Sequence, residues 1–396
     1  MSEEALKAHN QSAKQPLVIW VIFFATIISF MGLGLVDPIL PAIAEKLHAT
    51  PSQVSLLFTS YNLITGIAML ITGVVSSRIG IKWTLLIGIL FIIIFSALAG
   101  SSNGIWGVVG FRGGWGLGNA LFIATALSAI VGLSVGGTAK AIILYEAAIG
   151  LGISVGPLLG GELGSISWRG PFYGVSVLMI IAFLALLLKM PKVAKSKTKS
   201  SVLDPIKALK FPGLFRLGLT AFLYNIGFFT LMAYAPFVMG LDEHGLGYVF
   251  LGWGLCLAFT SVFVAPKIQA KFGTIKSMCT MLTLFALTLL AMGIWTDSST
   301  AIIVAVIIAG LFLGTNNTLI TTAVMEVAPV ERSIASAAYS FVRFLGGGVG
   351  PWLANKLAET YTPHIPFITG AIFVLLAMLV VATGRKHLAH VDKVTH

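Results

Sequence analysis

Apolar residues fill this chain in long blocks, and short polar breaks recur at nearly regular intervals. A helix rising 1.5 Å per residue needs about 20 apolar residues to cross the hydrocarbon of a bilayer. Twelve blocks approach or exceed that length: 17–44, 52–76, 83–101, 104–131, 138–161, 168–190, 214–240, 245–266, 275–296, 299–325, 333–357 and 364–384. The pattern predicts an all-α membrane protein of twelve transmembrane helices. One polar break is long. Residues 191–213 carry Lys192, Lys195, Lys197, Lys199, Lys207 and Lys210, and they separate a six-helix bundle (1–190) from a second bundle and tail (214–396). No cleavable signal is expected, because the first apolar run follows a polar tail and outlasts a signal's apolar core.

Composition agrees with this pattern. Only 10% of residues are charged, against about 25% in soluble domains. The net charge of +11 raises the question of nucleic acid, and its distribution answers it. With both termini cytoplasmic, 20 of the 25 Lys and Arg lie on the cytoplasmic side, and only Lys46, Arg169 and Lys356 lie outside. Arg112 and Arg343 fall within spans. That bias predicts a multi-pass plasma-membrane protein with its termini inside. The linker then reads as an orientation signal able to touch anionic lipid, not as a nucleic-acid site. Cys256 and Cys279 lie in apolar runs and read as packing residues, so no disulfide, metal site or cofactor is expected. His387, His390 and His396 fall in the tail, and His244 and His364 in outer loops. No Walker A loop, His-Glu-x-x-His or nucleophile elbow appears, so nothing supports an ATP-driven pump or a membrane hydrolase.

The two halves repeat each other. Gly152-Ile-Ser-Val-Gly156-Pro157 recurs as Gly346-Gly-Gly-Val-Gly-Pro351 at an offset of 194, which also sets Tyr145 on Tyr339. Arg78-Ile-Gly80 matches Lys271-Phe-Gly273 at 193, and Gly114 and Gly118 match Gly310 and Gly314 at 196. Two parallel six-helix repeats imply a site between the halves near the midplane, worked by rocking one half on the other. The stretch from Tyr145 to Gly161 holds Glu146, Pro157 and five glycines, among them Gly160 and Gly161. Glycines admit a close neighbour, and a proline bends the rod, so this helix reads as a moving part.

These motifs resemble those of the major facilitator superfamily over nearly the whole chain. Gly73-Val-Val-Ser-Ser-Arg78-Ile-Gly80-Ile-Lys82 is similar to its loop signature, and Arg112-Gly-Gly-Trp-Gly116-Leu-Gly118 to its helix-four signature. Gly152 to Gly161, Asp37-Pro-Ile-Leu-Pro41 and Trp168-Arg-Gly-Pro-Phe172 resemble signatures of the twelve-helix drug:proton antiporter branch. The resemblance implies alternating access, small-molecule substrates and protons as partners, and a monomer. The family loop normally has an aspartate where this chain has Ser77. That carboxylate is implied to help latch the halves on the cytoplasmic side, and Glu326 or Glu331 could replace it.

An ionised group at mid-bilayer costs about 2.5–3.5 kcal/mol, so ionisable residues in the spans are functional candidates. Asp37 lies about 10 Å from the outer end of helix one, and Arg112 about 12 Å from the outer end of helix four. At matching depth they could pair and release on protonation or cation binding; otherwise Asp37 caps a helix end near water. Glu146 is either a proton carrier or a structural carboxyl. Arg343 could meet a carboxyl or an anionic substrate. Tyr61, Asn62, Asn119, Tyr145, Tyr224, Asn225, Asn316, Asn317 and Tyr339 must face protein or a wet cavity, serving either helix packing or substrate contact. The expected function is proton-coupled export of small lipophilic or cationic compounds. The alternatives are a specific carrier of a sugar, metabolite or anion, and a transport-inactive scaffold or sensor.

Overall fold

The computed structural model describes residues 15–135, 137–191, 201–327, 329–384 and 388. Among these, twelve long helices follow in order: α1 (Leu17–Lys46), α2 (Pro51–Ile79), α3 (Ile81–Ser101), α4 (Ile105–Leu133), α5 (Gly137–Ile166), α6 (Gly170–Lys189), α7 (Pro212–Val238), α8 (Glu243–Phe272), α9 (Thr274–Ile294), α10 (Ser299–Glu326), α11 (Arg332–Thr360) and α12 (Ile365–Thr383). Eleven of them are long and apolar enough to cross a membrane; α11, with Arg332, Arg343, Lys356 and Glu359, is the polar exception. Each observed bound falls within several residues of its apolar block.

Local chemistry sets the boundaries. Thr50 and Gln53 cap α2 reciprocally, Thr50 Oγ1 accepting from the Gln53 N–H and Gln53 Oε1 from the Thr50 N–H, with Pro51 at the first helical position. Asp242 accepts from the Gly245 N–H at 2.8 Å to start α8. Gly80 (φ 89°) and Gly273 (φ 79°) make the left-handed corners after α2 and α8, so the repeat seen in the motif is also a repeat of backbone geometry. α1 is interrupted by a 3₁₀ turn at Asp37–Ile39, where Pro38 cannot donate to the ladder. α8 absorbs Pro266 differently, through a π turn at Thr260–Val264.

Glycines decide which helices touch. A Cβ on Gly152, Gly156 or Gly160 of α5 would collide with the carbonyl oxygens of Ile27, Met31 and Leu35 on α1. Gly346 and Gly350 of α11 meet Phe222 and Ile226 of α7 in the same way. Without a hydrophobic drive between helices in lipid, such close approach is what holds the pairs. One correspondence shifts. Gly116 rests on the Tyr61 carbonyl as Gly310 rests on that of Trp253, an offset of 194. Gly114 instead meets the ring of Phe95, so the packing counterpart of Gly310 is Gly116.

α1–α6 pack among themselves, as do α7–α12, and the main contacts between the sets are α2 on α11 and α5 on α8. At the first seam, Ser52 N–H and Oγ donate to the Glu359 carboxylate (2.8 and 2.9 Å), Thr59 Oγ1 to the Gly348 carbonyl (2.7 Å) and Asn62 Nδ2 to that of Gly347 (3.1 Å). At the second, Ser154, Pro157 and Gly161 of α5 lie against Gly254, Gly247 and Glu243 of α8, and His244 Nδ1 meets Glu162 Oε1 at 3.1 Å. The end carrying the α1–α2 loop, away from the termini, is therefore shut.

Candidate functional site

Arg112, Trp115 and Asn119 lie at positions i, i+3 and i+7 of α4 and so share one face. That face looks onto α1 and α2. Arg112 is fully buried, and its guanidinium is sandwiched 4.4 Å from the Tyr61 ring centre and 4.1 Å from that of Trp115. Nη2 donates to the Gly32 carbonyl at 2.7 Å, while Nε and Nη1 are buried without a hydrogen-bond partner. Asn119 donates to the Tyr61 hydroxyl and accepts from Ser29 Oγ, joining α1, α2 and α4 in one polar chain. The aromatic faces offset part of the cost of burying the cation, since desolvated cation–π contacts are worth about 2 kcal/mol or more.

Asp37 is also fully buried, and neither carboxylate oxygen has a hydrogen-bond partner. It stands in the 3₁₀ turn of α1, which touches α5, α7 and α8. Arg112 is its electrostatic neighbour, but the described residues hold no ion pair between them within 4.0 Å. The field of Arg112 offsets only part of the cost of burying that charge, and the ionised carboxyl still lacks the direct partner that a proton or a cation would supply. The side chain of Glu146 lies outside the described residues.

The second half builds a different polar group. Tyr224 donates to Asn317 Oδ1 at 2.7 Å, and the buried Tyr339 interacts with both Tyr224 and Arg343. Asn316 is buried with its amide nitrogen and oxygen both unpartnered. Asn225 turns back onto the Ala221 carbonyl of its own helix (2.8 Å), Asn62 bonds across to α11, and Tyr145 donates to the Ile123 carbonyl (3.3 Å).

The major facilitator superfamily model matches residues 22–278 and 217–393. The chain belongs to this superfamily. The multidrug efflux protein YfmO of Bacillus subtilis is 61% identical over 375 residues, 95% of each chain. The quinolone resistance protein NorA of Staphylococcus aureus is 24% identical over 94% of this chain and 97% of its own. Among solved structures, the human organic anion transporter MFSD10 superposes with a TM-score of 0.72 at 16% identity, over 92% of this chain and 98% of its own. A bacterial homologue of the human lysosomal transporter Spinster, inward-facing and unoccupied, gives 0.73 at 15% identity, over 95% and 96%.

The superfamily loop has a particular form here. Gly73 and Arg78 are exposed, and Ser77 Oγ turns back onto the Val74 carbonyl at 2.9 Å. Lys82 reaches the carbonyls of Met190 (2.6 Å) and Leu187 (3.2 Å), where it satisfies the C-terminal end of α6 within its own half. Among the described residues, no ion pair joins Arg78 or Lys82 to Glu326 or Glu331. The terminal pair Gly160-Gly161 divides its work, Gly160 admitting Leu35 of α1 and Gly161 admitting Glu243 of α8. Its counterpart Asn355 instead bonds Ala233 and Pro351 inside the second half.

Sequence reasoning did not single out Trp115, Ser29, Ser52, Glu359, Glu162 or Trp253. Trp115 carried a signal, standing one helical turn from Arg112. Trp253 sits beside Phe228 and Phe250, with its indole N–H buried and unpartnered. The Ser52–Glu359 contact joins residues 307 apart and left no pattern to read.

Proposed function

We propose that the protein exports small lipophilic or cationic compounds across the plasma membrane in exchange for protons, by alternating access. Asp37 carries the coupling half of this reading: it is a buried carboxyl lacking the direct partner that a proton or a cation would supply. The substrate class rests on the likeness to the multidrug efflux protein YfmO. Arg112, fixed by Tyr61, Trp115 and Gly32, supplies a steady positive field beside Asp37 and does not itself need to move. Substrate would enter between the polar groups of the two halves, Tyr61–Asn119 on one side and Tyr224–Asn317–Tyr339 on the other. Glu146 is a second candidate proton carrier, while Gly152 and Gly156 hold α5 on α1 and Pro157 and Gly161 face α8 at the seam that rocking must open.

The basic residues orient the chain with both termini in the cytoplasm, so the closed end faces outward. Exchange of a monovalent cation for one proton moves no net charge and draws on the pH gradient alone. A neutral compound would also draw on the potential, about 2.3 kcal/mol per charge per 100 mV. Reconstituted protein under a pH gradient should move a fluorescent lipophilic cation, and Asp37→Asn should stop it. Gradient-independent movement, or none across a chemically broad panel, would sink the reading. Arg343 beside Tyr339 favours the runner-up, an anion carrier, which anion-driven proton release would reveal.

A further inference from the structure

Outside the spans, the linker forms a short helix, Leu203–Ala208. Pro205 and Ala208 face the protein and are buried. The opposite side carries Leu203 (54% exposed), Ile206 (44%), Lys207 and Lys210, with Val202 and Phe211 exposed at its ends. An apolar face with lysines beside it, set at the end of a membrane bundle, is suited to the headgroup boundary rather than to water. It also borders a cavity of about 400 Å³ lined by Asp204, Lys207, Ala208, Lys210, Phe211, Val330 and Ile334. Asp204 is the acid in that wall, and its Oδ2 accepts from the Ser201 N–H at 2.9 Å. The two lysines make no such contact among the described residues and leave the wall net positive.

We infer that this cavity binds an anionic phospholipid, the headgroup phosphate at Lys207 and Lys210 and an acyl chain along Phe211, Val330 and Ile334. Charge complementarity selects the headgroup, and the exposed apolar side chains select a lipid over free phosphate. Val330 and Ile334 belong to the approach and first turn of α11, the helix that closes on α2. A bound lipid therefore ties the linker to a helix that must move, whatever solute is carried.

The test uses the full-length protein, extracted from vesicles of equimolar phosphatidylglycerol and phosphatidylcholine, with retained lipid counted by native mass spectrometry. Each lysine near an anionic surface is worth roughly a fivefold gain in binding. Phosphatidylglycerol should be retained preferentially, and K207Q/K210Q should reduce that preference by about tenfold or more. The control pair K267Q/K276Q, exposed lysines at the same end but outside the cavity, should leave it intact. Phe211→Ser, in the cavity wall, should lower retention without changing charge. Equal retention of the two lipids, equal loss from both lysine pairs, or no effect of Phe211→Ser would each overturn the assignment.

Discussion

At the scale of single residues, Asp37 and Arg112 show how one fold treats opposite charges differently. Arg112 has two aromatic faces and a carbonyl, and a lysine could not reproduce that planar stacking. Arg112→Lys should leave the protein assembled but less stable by about 1–3 kcal/mol, read as a lower Tm in detergent. Asp37 has neither oxygen bonded, so Asp37→Asn removes titration while keeping shape. Its expected signature is loss of gradient-driven transport with Tm unchanged or raised. Both residues stood out in the sequence because charge is rare in apolar runs. Their relation did not, since depth along two helices fixes height but not rotation. Packing turned Arg112 towards Tyr61 and Trp115, so the two charges are neighbours without forming an ion pair.

At the scale of elements, glycine spacing translates into helix pairing. Gly156 of α5 and Gly350 of α11 each face a backbone carbonyl of the neighbouring helix. Replacing either with valine should push the pair apart and cost at least about 1–3 kcal/mol, as overpacking generally does. Gly110, which has nothing within 4 Å of a would-be Cβ, should accept alanine freely. Thermal unfolding of the three variants in one detergent compares them directly. The helices and the 194-residue repeat were legible because apolar length and small-residue spacing are local properties. The register within α4 was less legible: Gly114, Gly116 and Gly118 all look alike in sequence, and only contact with α2 marks Gly116 as the partner of Gly310. Neither the 3₁₀ break in α1 nor the π turn of α8 was read from the sequence, although Pro38 and Pro266 stand at them.

At the scale of the whole molecule, one end is held shut by polar contacts that cross between the halves. Glu359 binds both the N–H and the hydroxyl of Ser52 at the first turn of α2, where a carboxylate also meets the positive end of the helix dipole. Hydrogen bonds to a charged group are worth about 1.5–3 kcal/mol. Glu359→Gln should therefore shift the balance toward opening at this end by about tenfold or more. Pulsed electron–electron distances between spin labels on the two halves would report it, and an unchanged distribution would remove Glu359 from the closure.

The sequence alone determined the twelve long helices, the two-fold repeat, the basic linker and the short roster of charges in apolar runs. Each follows from composition within a window no longer than a helix, or from likeness between two such windows. Only the tertiary structure decided which faces meet: Arg112 on aromatic rings, Lys82 on the end of α6, Gly161 on α8 and Glu359 on Ser52. Those choices depend on helix rotation and on residues as many as 307 apart, and no local pattern encodes them.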